Sequence, residues 1–350
     1  MRRLAAPLSA LALTLVLAAP TLACGGLIGP NGAVNLLRTT TLAGYHDGVE
    51  HYITAFEFAG GGGAFGSIIP LPGVPTSVVK GGDWTLQRLV RETDPQPVFF
   101  EAAGAAADRA VVLQQVRIDA LDITILEGGG AEVALWAKEH GFSLPPDAPE
   151  VLDFYAERSP IFMAASFDAD AAAARGQAVG DGTPVHLTIP TDNPWVPLRI
   201  QTLGKSSGET VQADVYLLTD DRPAMLPDPG SILAAGGLGL DHSAAASESL
   251  LADLRSDKGM EWVPDSAWLT KIAIDASAVD LRYDLAIDVS GAGHPSLRDA
   301  GFAPFGPLPA PPSATLLWVM LLAGALLLPV GGAWLIVVAT RSGGGRPLAS

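Results

Sequence analysis

Residues 39–66, TTTLAGYHDGVEHYITAFEFAGGGGAFG, hold two patterns with chemical potential. His46 and His51 bracket Asp47 and Glu50, a set of imidazoles and carboxylates from which a metal site could be assembled. Gly61, Gly63 and Gly66 spell G-x-G-x-x-G, which in a dinucleotide site brings backbone N–H groups up to phosphate. Farther along, Asp168 and Asp170, with Asp181 nearby, offer hard oxygen donors of the kind calcium takes. Asp168, Asp220 and Asp221 are the acids that an exported metal-dependent hydrolase would pair with a histidine.

The elements that must position these residues weaken most of the readings. Asp47-Gly48 is a two-residue turn that matches strand twist, and the flanking segments are rich in β-branched and aromatic residues. Folding the chain there pairs His46 with Val49, Tyr45 with Glu50, Ala43 with Tyr52 and Leu42 with Ile53, and farther out Arg38 with Glu57. His46 and His51 then share one face, Glu50 lies on the other, and Asp47 stays in the turn. Two histidines are too few for zinc, and His140, His186, His242 and His294 fall in no ligand spacing. The glycine motif needs a helix directly after it, but SIIPLPGVP follows, and its prolines forbid one. These glycines read as a connection between strands. Asp168-x-Asp170 lies in an alanine-rich loop and reads as a solvated turn. Thr219-Asp220-Asp221 reads as a strand exit held by side-chain-to-backbone bonds, and Trp195 as a buried anchor.

Residues 83–91 are short and amphipathic, and residues 110–126 read as one or two strands. AEVALWAKEH (131–140) predicts a helix with Val133, Leu135 and Trp136 on its buried face and Gly141 as its stop. A second helix starts at Pro145, Pro146 and Pro149 with the stripe Val151, Leu152 and Tyr155, and Pro160 ends it. IFMAASF (161–167) predicts a buried strand, with further strands at 185–190, 198–203 and 211–218. The stretch through LPDPGSILAAGGLGLDHSAAASES has no period and reads as a linker. A short helix at 249–255 and strands at 268–274 and 278–289 follow. The fold class is α+β: strand-dominated, sandwich-like sheets with an inserted helical pair.

The ends state where the chain resides. MRRLAAPLSALALTLVLAAPTLAC has a cationic start, a short apolar run and small residues, the layout of a secretory signal peptide over residues 1–23. Residues 314–339 form 26 uncharged residues. At about 1.5 Å per residue they exceed the roughly 30 Å hydrocarbon core of a bilayer. Arg341 and Arg346 follow without an acid, which predicts a cytoplasmic tail at 340–350 and everything before the span outside. Prolines at 304, 307, 309, 311 and 312 predict an extended stalk over 303–313. Between signal and span lie 17 basic and 37 acidic residues, a net charge of −20, which repels nucleic acid and anionic headgroups. Cys24 is the single cysteine, so no internal disulfide forms. It would be the first residue after cleavage and is a candidate for lipidation.

ACGG after the signal, ALWAKEHGFSLPPDAPEVLDFYAERSPIFMAASF in the middle and TPVHLTIPTDNPWVPLRI beyond resemble an exported bacterial family, domain of unknown function 2330. The resemblance covers most of residues 24–220, with 221–302 as a linker and a smaller β-rich part. It implies export and a shared fold, and it carries over no catalytic residue and no cofactor. It also implies another cysteine soon after Cys24, where this chain has Gly29 and Pro30. The sequence therefore predicts a single-pass type I membrane protein with a non-catalytic, binding or envelope-structural outer part. The metal-dependent hydrolase stands as its alternative.

Overall fold

The computed structural model describes residues 26–302, apart from 30–31, 34–38, 57–64, 95–112, 169–173, 175–182, 230, 232–235 and 290–294. The expected signal peptide, Cys24, the stalk, the apolar span and the tail lie outside the described residues, as do Arg38, Glu57, Gly61, Gly63, Asp170 and Asp181. Among the described residues no helix is long and apolar enough to cross a membrane.

The early strands are β1 (Gly26–Gly29), β2 (Gly32–Ala33), β3 (Thr39–His46), β4 (Val49–Phe56), β5 (Phe65–Leu71) and β6 (Ser77–Lys80). Helix α1 (Thr85–Thr93) precedes β7 (Gln114–Ile118) and β8 (Leu121–Glu127), and the helical pair is α2 (Gly130–Glu139) and α3 (Ala148–Ala156). Then come β9 (Ile161–Phe167), β10 (Thr183–Pro190), β11 (Trp195–Val196), the 3-10 turn η1 (Arg199–Thr202) and β12 (Thr210–Thr219). The chain continues with β13 (Ala224–Leu226), β14 (Leu238–Ala245), α4 (Glu248–Ser256), β15 (Trp268–Ser277) and β16 (Leu285–Asp288).

Two large sheets result. One has six strands in the order β2-β1-β5-β9-β8-β7; the other has seven in the order β14-β15-β12-β3-β4-β10-β6. A small third sheet runs β11-β16-β13. Neighbours in the large sheets are antiparallel except β3 and β12, which run parallel.

The layers follow from the faces. Ile69, Ile123, Met163 and Phe167 from the six-stranded sheet share a core with Tyr52, Leu187, Val215 and Ile272 from the other. The outer face of the six-stranded sheet, with Ile68, Leu126 and Phe162, lies under α2 and α3. The outer face of the seven-stranded sheet, with Leu42, Ile53, Tyr216 and Leu269, lies under α1 and α4. The order is helices, sheet, sheet, helices. β9 sits mid-sheet with every residue buried, because one face enters the intersheet core and the other meets the helical pair. A strand covered on both faces has no use for alternation, hence the unbroken apolar run of IFMAASF.

The hairpin forms in the expected register, with His46 opposite Val49 and Tyr45 opposite Glu50. Asp47 (φ 52°) and Gly48 (φ 78°) both take the left-handed conformation that a tight primed turn requires. Gly141, at φ 76°, follows the end of α2.

Four expectations are corrected. Leu135 is exposed, not on the buried face of α2; it lies two residues, roughly 200°, from Val133, and Val133, Trp136 and Ala137 make the stripe. Residues 198–203 are not a strand but the turn η1. The linker-like stretch carries β14, an edge strand paired to β15 with an irregularity between Leu240 and His242. β14 tolerates a polar, small-residue sequence because it is paired on one side and largely exposed. Of residues 278–289 only 285–288 form a strand, yet Leu281, Tyr283, Leu285 and Ile287 all enter the intersheet core.

Candidate functional site

Three groups of polar residues stand out. The first grows from the hairpin. Gly44, His46 and His51 face outward on β3 and β4, on the same side as Ile53. β10 lies along β4 with His186 opposite Ile53, so His186 joins that face. His51 Nδ1 and His186 Nε2 are 3.0 Å apart, one donating and the other accepting. Trp262, from the loop after α4, stacks on the His51 ring at 3.9 Å and 3°. A Cβ on Gly44 would stand 2.1 Å from the Trp262 ring, so only glycine leaves room for this lid. Burial, then the neighbouring His186, lowers His51 to about 3, and burial lowers His186 to about 4. Both rings are neutral at physiological pH and sealed from substrate. His46, at the open end, has Nδ1 2.7 Å from Asp220 Oδ1.

Glu50 points the other way, into the interior. It is fully buried, and neither oxygen has a hydrogen-bond partner of ordinary geometry. Burial pushes its carboxyl up to about 8, against a weaker opposing pull from the Trp195 backbone. Glu50 is therefore largely protonated at neutral pH.

The second group centres on Asp284, which is wholly buried. Its Oδ1 accepts from the Tyr155 hydroxyl (2.8 Å) and from the N–H groups of Leu198 (2.7 Å) and Arg199 (3.1 Å). Its Oδ2 pairs with the Arg158 guanidinium. Tyr155 Oη accepts from the Ile200 N–H at 2.8 Å. Arg158 lies over Phe154 at 4.5 Å and over Trp195 at 4.7 Å. Burial, then the Asp284 charge, raises the Tyr155 phenol well above its usual value. The hydrogen bonds of this set end on backbone or on another member, although the buried Arg158 Nε has no partner among the described residues, and the network joins α3, η1 and the approach to β16.

The third group is open. A cleft of about 300 Å³ lies between the start of α3, the η1 segment and the turn after β15. Arg199, Lys205 and Arg282 line it together with Asp147 and Glu150, over apolar Val151 and Leu281. Asp147 accepts from the Gly204 N–H with both oxygens, and Glu150 holds Arg199 at 2.5 Å. Glu209 accepts from the N–H and the hydroxyl of Ser206. The Glu209 carboxylate acts on Lys205 through space, and Arg282 donates its Nε to the Val279 carbonyl at 2.8 Å. Burial lowers Lys205.

The sequence candidates are dispersed. His46 and His51 share a face, but His51 is turned to His186 and His46 to Asp220. Asp168 lies 3.8 Å from Arg117. Asp221 accepts the Thr219 hydroxyl through its carbonyl at 2.7 Å, the local bond expected of that strand exit. Trp195 is buried, as expected. Gly66 lies inside β5, which a helix does not follow. Among the described residues no three His, Cys, Asp or Glu side chains converge to hold a metal. Sequence spacing missed the partner of His51, since His186 is 135 residues away. It also missed the cleft, whose residues come from three separate segments.

These features define a strand-dominated α+β domain with two facing sheets. The chain belongs to DUF2330, a family of uncharacterized proteins conserved in bacteria, whose model matches residues 18–229. A comparison with curated proteins finds no match. Among solved structures, baculovirus P35 is similar at TM-score 0.41 and 9% identity, over 72% of this chain and 96% of that one. P35 in the caspase-8/P35 complex is similar at TM-score 0.39 and 7% identity, over 72% and 96%. Mutated baculovirus P35 after caspase cleavage is similar at 0.36 and 7%, over 72% and 99%. At these scores the likeness carries no argument about this chain.

Proposed function

We propose that the protein is an exported, single-pass envelope protein whose outer part works by binding rather than by catalysis. The observation that carries the binding reading is the contrast between the sites. The paired histidines lie sealed under Trp262 and stay neutral, whereas the cleft is open and brings Arg199, Lys205 and Arg282 together with Asp147 and Glu150 over apolar residues. A general base must reach its substrate; a binding cleft needs polar groups open to a ligand. The signal-like start, the uncharged 26-residue segment and the basic tail support export and anchoring, with the acidic bulk outside. Protease added to intact cells is expected to degrade that bulk and to leave a tail-tagged fragment. If the chain stays whole until the cells are lysed, the orientation is wrong.

The hydrolase alternative draws on one observation, the His46–Asp220 pair, in which a carboxylate orients an accessible imidazole. A stoichiometric zinc or calcium ion in the purified full-length protein would favour it over the binding reading.

A further inference from the structure

We propose that His51 and His186 form an acid-released latch for Trp262: protonation of the pair frees the indole from β3 and β4 while both large sheets stay folded. The inference goes beyond the binding reading and depends neither on it nor on where the protein resides.

The geometry of the pair sets the trigger. His51 Nδ1 and His186 Nε2 face each other at 3.0 Å, so the two nitrogens hold one proton between them. One added proton makes a single imidazolium that still donates across the gap. A second sets N–H against N–H and presses two cations together, and the rings must part. The Trp262 indole, stacked on His51 at 3.9 Å and seated over Gly44, covers the pair and opposes that parting.

The indole can leave without unfolding the chain, because the loop that carries it is tied at both ends. Asp257 accepts from the N–H groups of Asp83 and Trp84 and from the Thr85 hydroxyl, at the start of α1. Arg255 donates to the Pro264 carbonyl at 2.5 Å and pairs with Asp265 at 3.2 Å. Met260 and Val263 are buried in the core under α1 and α4. Trp262 between them is half-buried, and its Nε1 has no hydrogen-bond partner among the described residues. Swinging the side chain outward therefore breaks stacking and no hydrogen bond.

Two charges act on the rings. Glu261 of the loop favours a protonated His186, and His46 of β3 disfavours a protonated His51. Other charged groups of the surrounding elements are turned elsewhere. Lys80 of β6 pairs with Asp83 and Asp119, Arg88 of α1 with Glu92 and with Asp253 of α4, Lys258 of the loop is exposed, and Glu50 of β4 points to the opposite face. Covered, the rings are held by burial near 3 and 4; uncovered, each returns toward the ordinary 6.5. The open form gains two protons, so its share rises by up to about a hundredfold for each pH unit below 6.5.

The test is acrylamide quenching of the full-length protein between pH 7.5 and 4, with the Trp262→Phe signal subtracted to isolate one of the seven indoles. We expect Trp262 to become accessible between about pH 6 and 4.5 while far-UV circular dichroism keeps its neutral value. His186→Gln or His51→Asn alone should halve the steepness of the transition, and the two together should abolish its pH dependence. If a variant fails to fold, hydrogen exchange of residues 257–265 in the parent, corrected for the intrinsic effect of pH, reads the same opening. An indole that stays shielded to pH 4 in the folded chain overturns the inference. So does exposure that begins only as circular dichroism is lost, or an unchanged transition in the double variant.

Discussion

At the scale of single residues, Gly44 and Glu50 hold positions that other residues could not hold in the same way. Gly44 lies beneath Trp262 with no space for a Cβ. Gly44→Ala is expected to displace the indole and cost about 1–3 kcal/mol, the usual penalty of overpacking, read as a lowered midpoint of chemical unfolding. Trp262→Ala in the same chain should recover part of that loss, because the clash has one partner. Glu50 is held protonated by burial, with its folded value near 8 against 4.5 for the ordinary carboxyl. Between those values the folded chain binds a proton that the unfolded chain has released, so stability falls as pH rises. The slope is up to about 1.4 kcal/mol per pH unit. Glu50→Gln, which keeps the shape and cannot ionise, is expected to flatten this dependence. A parent and variant with parallel stability curves from pH 5 to 8 would show that Glu50 is not protonated in the fold. The turn at Asp47-Gly48 was legible because the positive φ it needs selects those residue types. The sharing of a hydrogen bond between His51 and His186 was not, because it depends on β10 docking beside β4 across more than a hundred residues of chain.

At the scale of elements, the legible parts are those whose signal is local. α2 and α3 were readable from proline, glycine and apolar spacing, and β9 from its run of apolar residues. η1 was misread for an identifiable reason. Residues 198–203 alternate well enough for a strand, but their N–H groups go to side chains instead of a neighbouring strand: Leu198 and Arg199 to Asp284, and Ile200 to Tyr155. Nothing near residue 200 announces a carboxylate 86 positions away. β14 was missed because an edge strand needs only one partner and little apolar surface. The Asp284 network therefore determines the path of η1, and through η1 the wall of the cleft. Asp284→Ala would leave Arg158 as a buried, unpaired cation and free three donors. A loss of about 3–5 kcal/mol is expected. Tyr155→Phe, which removes one donor and one acceptor, should cost roughly 1–3 kcal/mol. If both variants unfold at the parent's denaturant midpoint, the network does not hold η1.

At the scale of the whole molecule, the two faces of the seven-stranded sheet bury opposite chemistries, and together these set its response to pH. On the outer face of the seven-stranded sheet, His51 and His186 are neutral with values near 3 and 4, below the ordinary 6.5. The unfolded chain gains two protons below pH 6.5 that the folded chain refuses. The stability they contribute is therefore present above that value and is lost as pH falls toward 4. On the inner face Glu50 acts in the opposite sense, from 4.5 up to 8. Between about pH 4.5 and 6.5 two histidines outweigh one carboxyl, and stability rises with pH; above 6.5 the carboxyl acts alone, and stability falls. The parent chain should melt at its highest temperature near pH 6.5. Replacing both histidines with leucine should erase the acid limb and leave the alkaline decline, whereas Glu50→Gln should do the reverse. Melting temperatures from pH 4 to 9 for the three chains separate these contributions. A parent curve that keeps rising from pH 6.5 to 8 would mean that the general surface charge, not these buried groups, governs the fold's tolerance of pH.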